Sequence, residues 1–273
     1  MVVRLPWRLR CAGLLMLLPL LLPSWPLPAP GEFELLAADI GQGNAVLVRT
    51  RGHALVFDTG PVYAPGADAG ERVLLPLLRS LGVRRLDMLM LSHRDIDHVG
   101  GAPALLRGLA VGRLHSSLEP AHPLQQAGPP TQRCEAGQAW SWDGVRFELL
   151  HPLPVHYDAG LKPNDLSCVL RITAQSGRRV VLAGDLQAEQ ERALVRRVQD
   201  LRADVLLVPH HGSKTSSSAE LLAAVPPAGA LVQAGHPPRL RHPAPPGVGR
   251  HHAAGNPGGA PPPRRGGAPA PSP

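Results

Sequence analysis

Four short apolar runs in this chain each end abruptly in a cluster of Asp, His, Ser and Gly, and no other feature restricts the fold as much. HALVF leads into Asp58-Thr59-Gly60 and LDMLML into SHRDIDHVGG (Ser92 to Gly101). RRVVLA leads into Gly184-Asp185, and ADVLLV into PHHGSKTSSS (Pro209 to Ser218). Runs this short and this apolar read as buried strands. Polar groups at their ends then lie on loops along a sheet edge, where chemistry is commonly placed.

FELLAADI, AVLVRT, VRFELLHP and CVLRITA read as further strands. ERVLLPLLRSLG has helical spacing and ends in Gly82 as a C-terminal cap, APALLRGL and AEQERALVRRVQ read as helices, and SSSAELLAAV as a Ser-capped one. Strands and helices interleaved in this way predict an α/β layered domain with helices covering the sheets, over residues 31–235.

The two ends differ from this middle. Residues 1–30 carry Arg4, Arg8 and Arg10, then an uncharged run, CAGLLMLLPLLLPSWPLPAPG. Cations before an apolar run form the pattern of a membrane or signal-like segment, with the layered domain on the extracytoplasmic side. Residues 236–273 are almost entirely Pro, Gly, Ala, Arg and His, a low-complexity composition that cannot bury enough apolar surface to order itself. The formal charge of +7 comes from these ends, since residues 1–31 and 226–273 hold eight Arg and no acid. The middle is therefore not a basic nucleic-acid platform, and aromatics at 3% supply no extended stacking surface. Cys11, Cys134 and Cys168 are too scattered for a disulfide framework or a zinc knuckle and read as small buried hydrophobes, leaving the redox compartment undecided. Trp140 and Trp142 read as hairpin packing. His53 needs no function, and His115, His122, His151 and His156 sit among Pro-rich loops as surface residues.

His93, Asp95, Asp97 and His98 fall within six residues and cannot share one side of a helix. On a loop at a strand end they can converge, and imidazoles with carboxylates suit one or two divalent metals. A dication also removes the repulsion between the close carboxylates. Asp185 and His210, each at the end of an apolar strand, are either turn-formers or further ligands. Asp58 is either an Asx turn or a support that orients ligands from behind.

VFDTG, HxDxDHxGG, LAGD and PHHGS, in this order, resemble the metallo-β-lactamase fold superfamily. More narrowly, DIGQGNAVLVR, SHRDIDHVGG, NDLSCVLRI, VPHHGSKTSS and a later His242-Pro243 resemble the C-terminal domain of the ComEC competence and DNA-internalisation proteins, over residues 33–243. The N-terminal segment is similar to the end of that family's membrane portion. The resemblance implies a four-layer αββα sandwich with two divalent metal ions at one edge. Matched by motif, His93, Asp95, Asp97, His98, Asp185 and His210 are the metal ligands, with Asp185 bridging and Asn164 supporting. Asp95 and Asn164 stand where many members have His, and oxygen in place of imidazole tilts the preference from Zn toward Mn or Mg. Asp97 orients or deprotonates water. His211, Ser213, Lys214 and His242 lie on the substrate side, and the N–H groups near Ser217 could take a neighbouring phosphate; for Lys214 and the serines a capped, solvated helix start is an equal reading. The closing helix and strand of the family pattern are not recognisable beyond His242.

The leading expectation is a metal-dependent phosphodiesterase or DNA nuclease at the cell membrane, acting on single-stranded DNA during uptake beside a channel partner. A hydrolase of a small lactone, lactam or thioester on the same scaffold is the second, and a truncated, inactive accessory domain the third.

Overall fold

The computed structural model describes residues 26–235, together with Trp7 and the strand Gly258–Gly259. Most of residues 1–30, most of the 236–273 tail and His242 lie outside the described residues. Among the described residues no helix is long and apolar enough to cross a membrane.

Two sheets form the centre. The first has the order β1-β2-β3-β7-β9-β10, built from β1 (Glu34–Ala37), β2 (Val46–Arg49), β3 (Ala54–Phe57), β7 (Met88–Leu91), β9 (Leu114–Ser116) and β10 (Thr131–Arg133). Two small pairings sit beside it, β4 (Val62–Ala64) with β5 (Ala67–Asp68) and β6 (Arg85–Leu86) with β8 (Ala110–Val111). The second sheet runs β11 (Ala139–Trp142), β12 (Val145–His151), β13 (Val169–Thr173), β14 (Arg179–Leu182), β15 (Val205–Leu207), β16 (Gly229–Leu231) and β17 (Gly258–Gly259), in chain order. Two glycines of the compositionally simple tail thus add a strand beside β16, which its composition did not announce.

Side-chain alternation explains the layering. Val46 and Val48, Leu55 and Phe57, and Met88 and Met90 point into the space between the sheets, where they meet Phe147, Leu149, Leu170, Ile172 and Leu182. The intervening Leu47, Val56, Leu89 and Leu91 point outward onto α1 (Leu75–Ser80, entered through a π turn at Gly70–Leu74) and α3 (Ala102–Gly108). On the far side Val169, Val181 and Leu206 meet α4 (Ala188–Arg197) and α5 (Ala219–Ala224). Strands β3 and β7, buried on both faces, carry apolar residues at every position and show no polar alternation, whereas β12 at VRFELLH alternates. The result is helix, sheet, sheet, helix. Strands β3, β7 and β9 are parallel, as are β14, β15 and β16, so the clusters that follow β3, β7, β14 and β15 gather at one edge.

Cys134 and Cys168 form a disulfide joining the end of β10 to the entry of β13. This corrects the reading of them as unpaired hydrophobes: 34 positions apart in the chain, they meet only because the two sheets stack face to face. His115 and His151 are also buried, at 2% and 1% exposure, rather than on the surface. Both lie inside strands, not in the Pro-rich loops beside them.

Candidate metal centre

Backbone conformation brings the polar clusters together. Asp58, His210, His211 and Ser217 have φ between 51° and 58°, a left-handed region that side chains other than glycine seldom adopt. Two such residues in succession reverse the chain at His210-His211. At Gly184 (φ 54°) a Cβ would come within 2.9 Å of the Ser92 Cβ, so only glycine lets Asp185 approach the loop after β7 so closely.

The short helix α2 (Ile96–Val99) presents Asp97 and His98. The His98 Nδ1 lies 2.8 Å from the Asp58 carboxylate, which also accepts from the Ser92 backbone N–H (2.6 Å) and hydroxyl (2.7 Å). The His211 Nδ1 donates to the Gln233 carbonyl at 2.8 Å, and the His93 Nδ1 lies 3.0 Å from the Ser92 hydroxyl. Each ring is held through Nδ1, so each Nε2 faces the centre. Around it, the His98 Nε2 is 3.2 Å and the His211 Nε2 3.4 Å from the Asp185 carboxylate, and the His211 Nε2 is 3.4 Å from that of Asp97.

The Nε2 atoms of His93, His98 and His211 and one Asp185 oxygen are buried and make no hydrogen bond. Four orphaned donor atoms converging on one spot would be costly in a folded protein unless something binds there. Two overlapping triads, His93-His98-Asp185 and Asp97-His98-His211, each have their donor atoms within 4.8 Å of one another. The donor set fits divalent cations. Electrostatics agree. Burial would lower the pKa of His98, but the charges of Asp185 and Asp58 raise it well above the usual value. Burial would raise Asp185, yet the charges of His98 and His211 hold it well below the usual carboxylate range. Asp97 likewise, despite burial, is held at about 2 by the neighbouring His211 and His98 rings. A site that pulls a proton this strongly onto the buried His98 ring is one where a cation is stabilised.

The remaining sequence-predicted residues occupy graded positions. Asp95 is half-exposed, 3.5 Å from the His93 Nε2. Asn164 reaches the Asp185 carboxylate at 3.5 Å. His210 stands at the rim, its Nε2 3.6 Å from Asp185, so it is His211, buried, that joins the triads where the motif match put His210. Ser213 is buried against Thr215, and Lys214 is exposed on the same loop. The N–H groups of Ser217 and Ser218, expected to be open to phosphate, instead donate to the buried Glu191 carboxylate at 2.7 and 2.6 Å. Three contributors escaped the sequence reading. Gln233 orients His211, Ser167 accepts from the Asp185 backbone N–H at 3.1 Å, and Glu191 clamps the 217–218 turn. Only Ser167 carried a signal, lying in the NDLSCVLRI segment.

The family model described as the metallo-beta-lactamase superfamily matches residues 38–236. "Competence protein ComA" of Neisseria gonorrhoeae is 39% identical over 250 residues, covering 85% of this chain and 34% of that protein. "ComE operon protein 3" of Bacillus subtilis is 33% identical over 239 residues, covering 80% and 30%. The chain therefore spans about a third of the length of these curated relatives. Among solved structures, a Parabacteroides distasonis protein provisionally named a metal-dependent hydrolase superposes with a TM-score of 0.51 at 13% identity, covering 85% of this chain and 94% of that one.

Proposed function

The chain belongs to the metallo-β-lactamase superfamily, and from that premise we propose that it is a metal-dependent phosphodiesterase that cuts DNA during uptake. The observation that carries this reading is the convergence of four partnerless donor atoms from three separate strand ends. The names of the competence relatives support the link to DNA uptake. His93, His98, Asp185, His211 and Asp97 would hold two divalent cations, Zn or Mn, which when bound acidify water and neutralise charge on a phosphodiester.

The chain's own groups do the positioning. Asp58 fixes the His98 ring, and Gln233 fixes that of His211, so neither needs to reorganise during reaction. Asp97, ionised far below neutral pH, orients an attacking water through its free lone pairs. Lys214 and Ser213, on the loop beside His210, border the place where a phosphate would approach. The reading puts the domain on the extracytoplasmic side of the membrane, joined through residues 1–30 and fed single-stranded DNA by a channel partner. The buried disulfide supports an oxidising compartment.

The test is cleavage of a short single-stranded oligonucleotide by the full chain with added Mn²⁺ or Zn²⁺, beside a lactam and a thioester, with bound metal measured per chain. Asp97→Ala is expected to lower DNA cleavage by at least about a hundredfold while circular dichroism stays unchanged. Faster turnover of the thioester or lactam than of DNA would replace the substrate assignment, and absence of bound metal would overturn the enzymatic one.

A further inference from the structure

The partnerless buried polar atoms that mark the metal centre recur in a second place. Both ring nitrogens of His115 and the indole N–H of Trp140 are buried without a hydrogen bond. The two residues are among those lining a cavity of about 370 Å³ at the edge of the sandwich, between β9 and β10 of one sheet and β11 of the other. Its lining includes Met88, at the start of β7, whereas the metal centre follows the end of that strand. The volume is in the roughly 300–1,000 Å³ range of small-molecule sites.

The lining is chemically specific. Trp140 and Trp142 meet edge to face at 5.9 Å, His53 stacks on Trp142 at 5.0 Å, and His115 meets Trp140 edge-on at 5.7 Å. Burial first, then the charge of Arg113, lowers the His115 pKa to about 4, so at neutral pH the ring brings no charge to the lining. Gln132, paired in register with His115 across β9 and β10, adds an amide that can both donate and accept. Arg113 is exposed at the rim. The one acid there, Asp87, is already occupied by Arg85 at 2.6 Å and by the Ala54 N–H at 2.9 Å.

Flat aromatic walls, an uncharged amide that can both donate and accept, and a cation at the rim together match a planar heterocycle bearing a phosphate. We propose that this cavity is a second binding site, distinct from the metal centre, that takes the base of a nucleotide with its phosphate against Arg113. Free nucleotides and bases within a DNA strand share that chemistry, and only the strand as source rests on the function proposed above.

Isothermal titration of the full chain with deoxyadenosine monophosphate and, separately, with a single-stranded oligonucleotide tests the assignment. Trp142→Ala and the surface substitution Arg113→Glu are each expected to weaken binding by roughly tenfold or more, with metal content unchanged. Binding of the mononucleotide identifies a free nucleotide as sufficient, and binding of the oligonucleotide alone, lost in both variants, identifies the strand. If neither ligand binds, or if Arg113→Glu binds both as tightly as the parent chain, the proposal is overturned. DNA cleavage measured alongside separates the two readings, because cleavage without binding here removes only this site, and binding here without cleavage removes only the nuclease.

Discussion

At the scale of single residues, the site is a set of imidazoles each held by a partner behind it. His93, Asp97 and His98 were legible because they crowd six positions of sequence after one strand, and crowding is a local property. The exchange of places between His210 and His211 was not legible. It depends on two consecutive left-handed residues, and nothing in PHHGS says which ring turns inward. Burial of His151 was hidden for a related reason: the register shift after Leu149 pairs it with Val169 and turns it to the far face, out of the inward parity of Val145, Phe147 and Leu149. Its Nδ1 donates to the Ser167 carbonyl at 3.0 Å, and burial lowers its pKa from 6.5 to about 4. The unfolded chain therefore binds more protons than the folded one between those values. Stability is full above pH 6.5 and falls as pH drops toward 4, by up to about 3 kcal/mol from this ring. His151→Gln, which keeps an amide to meet Ser167, is expected to flatten that part of a urea-midpoint against pH curve measured in chelator. A curve of unchanged slope would show that this ring does not titrate as described.

At the scale of elements, strand and helix types followed from apolar runs and caps; Ser218 caps α5 by accepting from the Leu221 N–H, as its position before the helix suggested. Contacts between elements had no such signal. Glu191 lies 26 positions from the turn it clamps, and Cys134 lies 34 from Cys168. The disulfide ties β10 to a segment directly under the centre: the Cys168 N–H donates to the Ser92 carbonyl, and the neighbouring Ser167 touches both His93 and Asp185. Closing a loop of this length stabilises the fold by about 3–4 kcal/mol in the chain-entropy account. The double substitution Cys134→Ser, Cys168→Ser is expected to lose roughly that much in urea unfolding, and to hold metal less tightly. Equal unfolding midpoints for parent and variant would remove the disulfide from the stability account.

At the scale of the whole molecule, four layers are assembled so that both sheets end their parallel strands at a common edge. Metal removal should then be felt throughout. A ligand present at 100 to 1,000 times its dissociation constant stabilises by about 3–4 kcal/mol, which for a domain of this size corresponds to a fall of about 6–16 °C in Tm on chelation. Differential scanning calorimetry with and without chelator checks this, and an unmoved transition would mean that no tightly held cation was present. His93 and His98 hang from one sheet, while Asp185 and His211 hang from the other. Whatever fills the centre therefore rivets two halves along their seam. A cation lodged there would act as a fastener, and a chain stripped of it would be easier to pull open along that seam.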